Sequence, residues 1–222
     1  MKLLLVGYGK MGRLIEELAP GHGCEIADRI DVGTGNWQAP ADVAVDFSTA
    51  DALRANFARY VERKLPAVIG TTGWSAHEGE LRAQAERAGL GVVAAANFSI
   101  GVNLFQRIVA EAARAFQAQD QYGAWIHEAH HAAKRDAPSG TLKELLRVLE
   151  RAGYERAVDV ASNRAGAVPG THLLGFDSEA DTITLQHTAR SRAGFAHGAL
   201  RAARWVVGKK GVFEFREIWR EI

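Results

Sequence analysis

Residues 2–12, Lys-Leu-Leu-Leu-Val-Gly-Tyr-Gly-Lys-Met-Gly, contain the pattern that decides the fold of this chain. The apolar run at residues 2–6 ends at a glycine, which is typical of a buried parallel strand. Gly7, Gly9 and Gly12 then follow in the spacing G-x-G-x-x-G, and residues 13–18 predict a helix. Glycines in such a turn let the chain reverse tightly and let a pyrophosphate approach the backbone. The stretch therefore predicts the first turn of a dinucleotide-binding domain.

A second strand is predicted at residues 24–28, and it ends in Asp28, 21 residues after Gly7. An acidic residue at about this distance accepts hydrogen bonds from the adenosine ribose of a dinucleotide. Arg29 follows directly, and its guanidinium suits a 2′-phosphate, so NADH and NADPH both remain open. The alternative is a solvated loop acid beside a surface charge, and the strand–turn–helix context favours the cofactor interpretation.

Strands and helices alternate up to residue 101, which predicts a parallel sheet with right-handed crossovers. Polar or glycine-rich tips follow the strands at Gly70–Gly73 and Asn97–Ser99. Ligands bind at the carboxyl ends of strands in open sheets, so both tips are candidate cofactor contacts, with ordinary turn chemistry as the alternative. The predicted strands are 42–47, 65–69 and 91–96, and the predicted helices are 50–64 and 75–88.

The pattern changes after residue 101. An amphipathic helix at 102–117 precedes a strand at 125–130, and leucines at positions 142, 145, 146 and 149 predict another helix. Short strands separated by Gly, Pro and Asp turns predict a mixed sheet and an α+β domain. These strands are 158–160, 172–176 and 182–187, and a helix at 194–207 and a strand at 211–216 close the chain.

Residues 128–141, Glu-Ala-His-His-Ala-Ala-Lys-Arg-Asp-Ala-Pro-Ser-Gly-Thr, place two imidazoles and an ammonium before a predicted helix. Imidazole suits proton transfer, and helix N-terminal amides suit an anion such as a carboxylate. The alternative is a surface His-His pair and a Ser that only caps the helix. On chemistry alone, the stretch is a candidate site for a small acidic substrate.

Bulk composition excludes several classes of protein. Of 222 residues, 47% are hydrophobic and 24% are charged, which is ordinary for a globular protein, and the net charge of +1 favours neither nucleic acid nor an anionic membrane. A single cysteine, Cys24, fits a reducing cytoplasm. The N-terminal apolar run is too short for a signal peptide, and no run approaches the roughly 20 residues of a membrane span.

Residues 128–141 closely resemble the signature of the dihydrodipicolinate reductase family. Further blocks resemble the family in its own order, at residues 70–73, 95–103, 164–172, 187–192, 195–199 and 211–213. The resemblance implies a Rossmann-like dinucleotide-binding domain at residues 1–101 and 193–222. It also implies an α+β substrate-binding and oligomerisation domain at 102–192. The expected reaction is the NADH- or NADPH-dependent reduction of 4-hydroxy-tetrahydrodipicolinate in lysine and diaminopimelate biosynthesis, with loss of water.

The resemblance also assigns roles to residues. His130 or Lys134 gives the proton, His131 contacts substrate, and Ser139, Gly140 and Thr141 hold a substrate carboxylate. The implied cofactor contacts are Gly7, Tyr8, Gly9, Lys10, Met11, Gly12, Asp28, Arg29, Gly70, Thr71, Thr72, Ala95, Ala96, Asn97 and Phe98. No metal, nucleic acid or membrane partner is expected, and family members are commonly homotetramers.

Two other functions would share the N-terminal pattern. A different two-domain amino-acid dehydrogenase would explain residues 1–100 but not the block from His130 to Thr141. A dinucleotide-binding sensor without turnover would not need His130, His131 and Lys134 beside a helix N-terminus. The block therefore favours the reductase over both.

Overall fold

The computed structural model describes all 222 residues and groups them into two compact units. One unit comprises Met1–Ile100 with Ala193–Ile222, and the other comprises Gly101–Arg192. The boundary lies one residue before the one predicted from the sequence. None of the helices combines the length and the hydrophobicity that a membrane span requires.

The first unit is built on a six-stranded sheet in the order β10-β5-β4-β3-β1-β2. Every neighbouring pair is parallel, which confirms the predicted Rossmann-like sheet. Parallel neighbours require crossover connections, and helices supply them. The strands are β1 (Lys2–Val6), β2 (Glu25–Ile30), β3 (Val43–Asp46), β4 (Ala67–Ile69), β5 (Gly91–Ala94) and β10 (Gly211–Glu214).

Helices cover both faces of this sheet, and alternate side chains of each strand face opposite layers. Leu3 and Leu5 of β1 pack in the cluster that includes Ile15 and Leu200, whereas Leu4 packs in the cluster that includes Phe57. The strands are therefore buried on both sides, as all-parallel sheets require. The helices are α1 (Lys10–Leu18), α2 (Ala50–Arg63), α3 (Glu78–Ala88), α6 (Ala193–Val206) and α7 (Phe215–Ile218).

Several predicted boundaries of this unit differ from the structure by one to three residues, and three of them have a visible cause. Helix α1 begins at Lys10, before the predicted residue 13, since Gly9 is its N-cap. The predicted helix at 75–88 starts with a separate 3₁₀ turn at Ser75–His77. The closing strand stops at Glu214 and not at residue 216, because Glu214 and Glu217 form a capping box that starts α7.

The second unit has a four-stranded mixed sheet in the order β7-β6-β8-β9. Strand β6 pairs parallel with β7 and antiparallel with β8, and β8 pairs antiparallel with β9, which confirms the predicted α+β architecture. Apolar residues of two helices pack with the inward face of β6. The elements are α4 (Ile100–Phe116), β6 (Gly123–His130), α5 (Gly140–Arg151), β7 (Val158–Arg164), β8 (Thr171–Asp177) and β9 (Thr182–Thr188).

Candidate active site

Strand β6 brings Glu128 and His130 to the buried face of the mixed sheet. Side chains alternate along a strand, so these two residues share a face with Ile126. Glu128 lies beside Ser162 of β7 and opposite His172 of β8, and His130 lies beside Arg164. The end of the central strand thus collects acidic, basic and imidazole groups from three strands.

The Glu128 carboxylate is fully buried, and one of its oxygens takes three hydrogen bonds. Oε1 accepts from the Ser139 amide at 2.9 Å, from Ser162 Oγ at 2.7 Å and from Arg164 Nη2 at 2.7 Å. Burial alone would raise the pKa of Glu128, but these hydrogen bonds outweigh it and lower the pKa to about 2. Glu128 is therefore an anion at neutral pH.

His130 is buried next to this anion. Its Nδ1 lies 3.6 Å from Glu128 Oε2, and its side chain is 9% exposed. Burial lowers the pKa of His130 below the ordinary value, the charge of Glu128 opposes that effect, and the cations Lys134 and Arg164 add to it. The net effect lowers the pKa of His130, which favours the neutral imidazole.

His172 was not predicted as a functional residue, although it ends one of the family-like blocks. Its Nε2 lies 3.4 Å from Glu128 Oε2 and 3.3 Å from Ser139 Oγ. Burial is the largest cause and the charge of nearby His130 the next, and together they lower the pKa of His172 to about 4. The ring is therefore neutral at neutral pH. Its position directly opposite Glu128 depends on strand pairing, which no local pattern specifies.

Glu128, His130 and His172 also offer three ligand atoms within 4.8 Å of one another, a spacing that suits a metal ion. The Arg164 guanidinium, however, already pairs with Glu128 at 2.7 Å and neutralises its charge. An ion-pair network accounts for the geometry without an ion, and we assign no metal to it.

The segment between β6 and α5 contains His131 and Lys134. Lys134 Nζ bonds Asp136 Oδ1 at 2.7 Å, so the ammonium has a fixed partner, and its backbone amide bonds the carbonyl of His131 at 3.0 Å. Both side chains are partly exposed. Both side chains are therefore accessible from solvent.

The helix that the leucine pattern predicts after residue 141 is present, and it begins earlier, directly after Ser139. The Ser139 hydroxyl accepts a hydrogen bond from the Leu142 amide at 3.1 Å, so Ser139 is the N-cap of α5. The backbone amide of Ser139 donates to Glu128 Oε1. Gly140 is exposed and Thr141 half-buried. Because the first amides of a helix have no partner within it, those of Gly140 and Thr141 remain as anion-binding groups, whereas Ser139 is occupied within the protein.

In the first unit, the turn at residues 7–12 requires glycine at Gly7 and at Gly12 for different structural reasons. Gly7 has φ of +86°, and a Cβ there would lie 2.5 Å from the carbonyl oxygen of Phe47. A Cβ at Gly12 would lie 2.4 Å from the carbonyl oxygen of Gly7. Gly9 is exposed and has no side-chain cap, which leaves the start of α1 open between Tyr8, Lys10 and Met11. This is the geometry of a pyrophosphate-binding turn.

Asp28 and Arg29 have partners that the sequence did not predict. Strand β2 continues past Asp28 to Ile30, so Asp28 does not end the strand. The Asp28 carboxylate accepts from the amides of Arg29 at 2.8 Å and Asn36 at 2.7 Å, and these bonds lower its pKa. Arg29 forms a bidentate ion pair with Glu16, and the Glu16 carboxylate also accepts a hydrogen bond from Tyr8 Oη.

The other predicted cofactor contacts follow neighbouring strands of the same sheet. Gly70 lies against the Phe47 ring, where a Cβ would come within 2.1 Å of a ring carbon. Thr71 is buried, and its hydroxyl donates to Asp46 at 2.8 Å, whereas Thr72 is exposed. Asp46 and Phe47 were not predicted as site residues, yet Phe47 shapes the backbone at both Gly7 and Gly70.

After β5, Ala95 is half-buried, Ala96 is exposed and Asn97 accepts from the Ser99 amide at 2.9 Å. The Phe98 side chain is 1% exposed and packs 5.0 Å from the ring of Phe215. The Phe98 side chain is therefore part of the core. Only its backbone remains available for a cofactor.

Comparison with known proteins gives a consistent family match. A family model described as dihydrodipicolinate reductase, N-terminus, matches residues 1–98, and one described as dihydrodipicolinate reductase, C-terminus, matches residues 101–218. A 4-hydroxy-tetrahydrodipicolinate reductase of Christiangramia forsetii is 34% identical over 236 residues, with 100% of this chain and 99% of that protein covered. One of Methanoregula boonei is 33% identical over 250 residues, with 98% and 97% covered.

A solved structure has the same fold. Dipicolinate-bound dihydrodipicolinate reductase from Paenisporosarcina sp. TG-14 superposes with a TM-score of 0.79, with 98% of this chain and 99% of that chain covered, at 21% identity.

Proposed function

This chain belongs to the dihydrodipicolinate reductase family, and from that premise we propose its reaction and the residues that perform it. It catalyses the NAD(P)H-dependent reduction of 4-hydroxy-tetrahydrodipicolinate to tetrahydrodipicolinate in lysine and diaminopimelate biosynthesis. One hydride and one proton enter the substrate, and one water leaves. Family membership sets aside a different amino-acid dehydrogenase and a sensor without turnover.

The observation that best supports this function is the placement of His130 beside an ionised carboxylate, ahead of the open N-terminus of α5. The nicotinamide supplies the hydride when bound, so the protein must hold a dicarboxylate and deliver a proton. His130 gives that proton, since an imidazole transfers protons near neutral pH.

Substrate carboxylates are held by charge and by backbone amides. The amides of Gly140 and Thr141 bind one carboxylate at the start of α5, where the helix dipole also favours an anion. Lys134, fixed beside Asp136 at 2.7 Å, contributes a positive charge, and His131 adds a polar contact. Ser139 acts indirectly, because its cap bond to Leu142 fixes the first turn of α5. Positive charge here also stabilises the electron-rich intermediates of reduction.

The cofactor binds the first unit through the predicted set. The turn from Gly7 to Gly12 would hold the pyrophosphate, Asp28 would hold the ribose, and Arg29 would hold a 2′-phosphate in a cofactor that carries one. Gly70 to Thr72 and Ala95 to Phe98 follow strands β4 and β5, which neighbour each other in the sheet. Because Asp28 suits a free ribose and Arg29 suits a 2′-phosphate, the proposed hydride donor is NADH, NADPH or both.

The enzyme is also proposed to be a cytoplasmic homotetramer. The family resemblance supports the tetramer, and the mixed sheet has exposed apolar side chains, with Val160 40% and Ile183 44% exposed. Cys24 is a free buried thiol, which suits a reducing compartment. Sedimentation of the purified protein at micromolar concentration should give four subunits, and a monomer would contradict the assembly.

The test of function is a coupled assay in which a synthase generates the substrate and nicotinamide absorbance is followed with each cofactor. Wild-type protein should oxidise NADH or NADPH only when substrate forms. His130→Gln should reduce kcat by about 100-fold or more, the scale of general acid catalysis. Lys134→Ala should also depress turnover strongly, because it removes the positive charge beside the substrate. Fluorescence should show unchanged NAD(P)H binding in both variants.

Matched controls come from the same unit. His127→Gln lies on β6 but alternates to the opposite face from His130, and Lys143→Ala lies on the exposed side of α5. Both should remain as active as wild type. If His130→Gln and Lys134→Ala are also as active as wild type, the assignment of their roles is wrong.

A further inference from the structure

The two oxygens of Glu128 have different surroundings. Oε1 takes hydrogen bonds from a backbone amide, a hydroxyl and a guanidinium. Oε2 is buried without a hydrogen bond, and His130 Nδ1 is also buried without one. Three fixed bonds to Oε1 hold the carboxylate plane, so Oε2 has a fixed direction.

That direction is toward two imidazoles. His130 Nδ1 lies 3.6 Å from Oε2, and His172 Nε2 lies 3.4 Å from it. The distance from Oε2 to His130 Nδ1 slightly exceeds that of a hydrogen bond, as is common for catalytic groups before a ligand binds. Because an ionised carboxylate only accepts hydrogen bonds, it favours a proton on Nδ1 of His130.

Nε2, the other ring nitrogen of His130, lies on the side of the ring away from Glu128. Nε2 faces Gly170, where an added Cβ would lie 3.2 Å from it, so any larger residue at this position would crowd Nε2. His172 packs edge-on to the His130 ring, with centroids 5.1 Å apart and planes at 74°, and so limits rotation of that ring. The ring is thus held with Nδ1 toward the carboxylate.

We propose that Glu128 is the positioning residue of the proton donor, with Oε2 holding the Nδ1–H of His130 so that Nε2 gives the proton. In that step the Nε2–H bond of the imidazolium breaks, and the proton goes to the substrate, which takes up one proton for each hydride. The neutral Nδ1–H imidazole remains facing Oε2. This inference rests on the proposed function, since it assigns a role within the same site.

Several charged groups face His130 from neighbouring elements. Glu128 favours its protonated form, and Lys134 of the following loop and Arg164 of β7 disfavour it. Asp136 favours the protonated form, and His172 of β8 is neutral at neutral pH. Glu128 has the largest effect of these charges on the pKa of His130, so its removal should dominate any change in the titration of His130.

Glu128→Gln tests the proposal, because it keeps the shape of the side chain and removes the charge. The protonated form of His130 loses its main support, so kcat should begin to fall at a pH lower by about one unit or more. Above that pH the protonated fraction falls tenfold per unit, so kcat at alkaline pH should fall about tenfold or more. KM for NAD(P)H should stay unchanged.

Two further variants separate positioning from a merely structural role. Glu128→Asp keeps the charge and should restore most of the wild-type pH profile. Glu150→Gln removes an exposed carboxylate on α5 and should change neither kcat nor its pH dependence. Equal pH profiles for Glu128→Gln and wild type, with wild type active, would overturn the positioning role and leave the proposed function intact.

A measurement on wild-type protein needs no stable Glu128 variant. Nitrogen-15 NMR of the histidine rings, assigned by comparison with His130→Gln, reports which ring nitrogen carries the proton. We expect neutral His130 to carry it on Nδ1. Neutral His130 protonated on Nε2 would contradict the proposal whether or not activity is measured.

Discussion

Arg29 is a residue whose partner decides how the cofactor site is charged. Arg29 Nε donates to Glu16 Oε2 at 3.1 Å, Nη2 donates to Glu16 Oε1, and the guanidinium lies 5.7 Å from the centre of the Tyr8 ring. A 2′-phosphate would have to compete with Glu16 for these donors. Bidentate bonds from arginine suit either anion, so Glu16 is expected to moderate the preference for NADPH.

Arg29→Ala should therefore weaken NADPH binding more than NADH binding. Loss of a charge-assisted contact costs about 1.5–3 kcal/mol, or roughly 10- to 100-fold in Kd. Glu16→Gln should have the opposite effect and tighten NADPH binding, because it frees Arg29. Fluorescence titration with each cofactor measures both, with exposed Arg87→Ala as the control. Equal weakening of both cofactors by Arg29→Ala would remove Arg29 from the phosphate site.

At the scale of elements, helix α5 links the stability of its first turn to substrate binding. Its N-cap, Ser139, is buried and contacts both the Leu142 amide and His172. The apolar stripe of this helix, including Leu142, Leu145 and Leu149, packs in the core of the second unit. The stripe fixes the position of the helix, and the cap fixes its first turn.

Ser139→Ala should destabilise the protein by about 1 kcal/mol, as loss of an N-cap usually does, and raise KM for substrate. Thr49→Ala is the matched control, because Thr49 caps α2 of the first unit by accepting from the Ala52 amide at 3.3 Å. Thr49→Ala should also lower stability while KM for substrate stays at the wild-type value. Urea denaturation and steady-state kinetics measure the two effects, and an unchanged KM in both variants would contradict a role for the first turn of α5.

At the scale of the whole molecule, the buried cluster makes stability depend on pH. His172 has a pKa of about 4 in the folded chain against an ordinary 6.5, so the unfolded state binds its proton first as pH falls. Stability is therefore lost between pH 6.5 and about 4. Glu128, with a folded pKa of about 2 against 4.5, adds a further loss between those two values.

The loss from His172 should be on the order of 3 kcal/mol at most, from the size of its pKa shift. Urea denaturation followed by circular dichroism between pH 6.5 and 4 measures it. His172→Asn cannot take up this proton, so the free energy of unfolding should fall less steeply with acidification in that variant. The same slope in both proteins would show that His172 titrates alike in the folded and unfolded states.

Local pattern was enough to predict most elements. Strand β1 has its predicted bounds, and the glycine turn, α5 and the mixed sheet were also predicted, because apolar periodicity and glycine spacing are local properties. The His-His-to-Ser-Gly-Thr block was enough to suggest the family. Element ends were less predictable, since the end of β10 depends on a capping box between Glu214 and Glu217.

The sequence by itself determined the parallel sheet, the dinucleotide-binding turn and the candidate imidazole. Only the tertiary structure decided what surrounds that imidazole. Glu128 meets Ser162 and Arg164 at sequence separations of 34 and 36 residues, and it meets His172 because β6 and β8 pair in that register. Register is set by the packing of a whole sheet. The sequence therefore showed Glu128 only as the first residue of the 128–141 stretch, and the structure places it at the buried centre of the site.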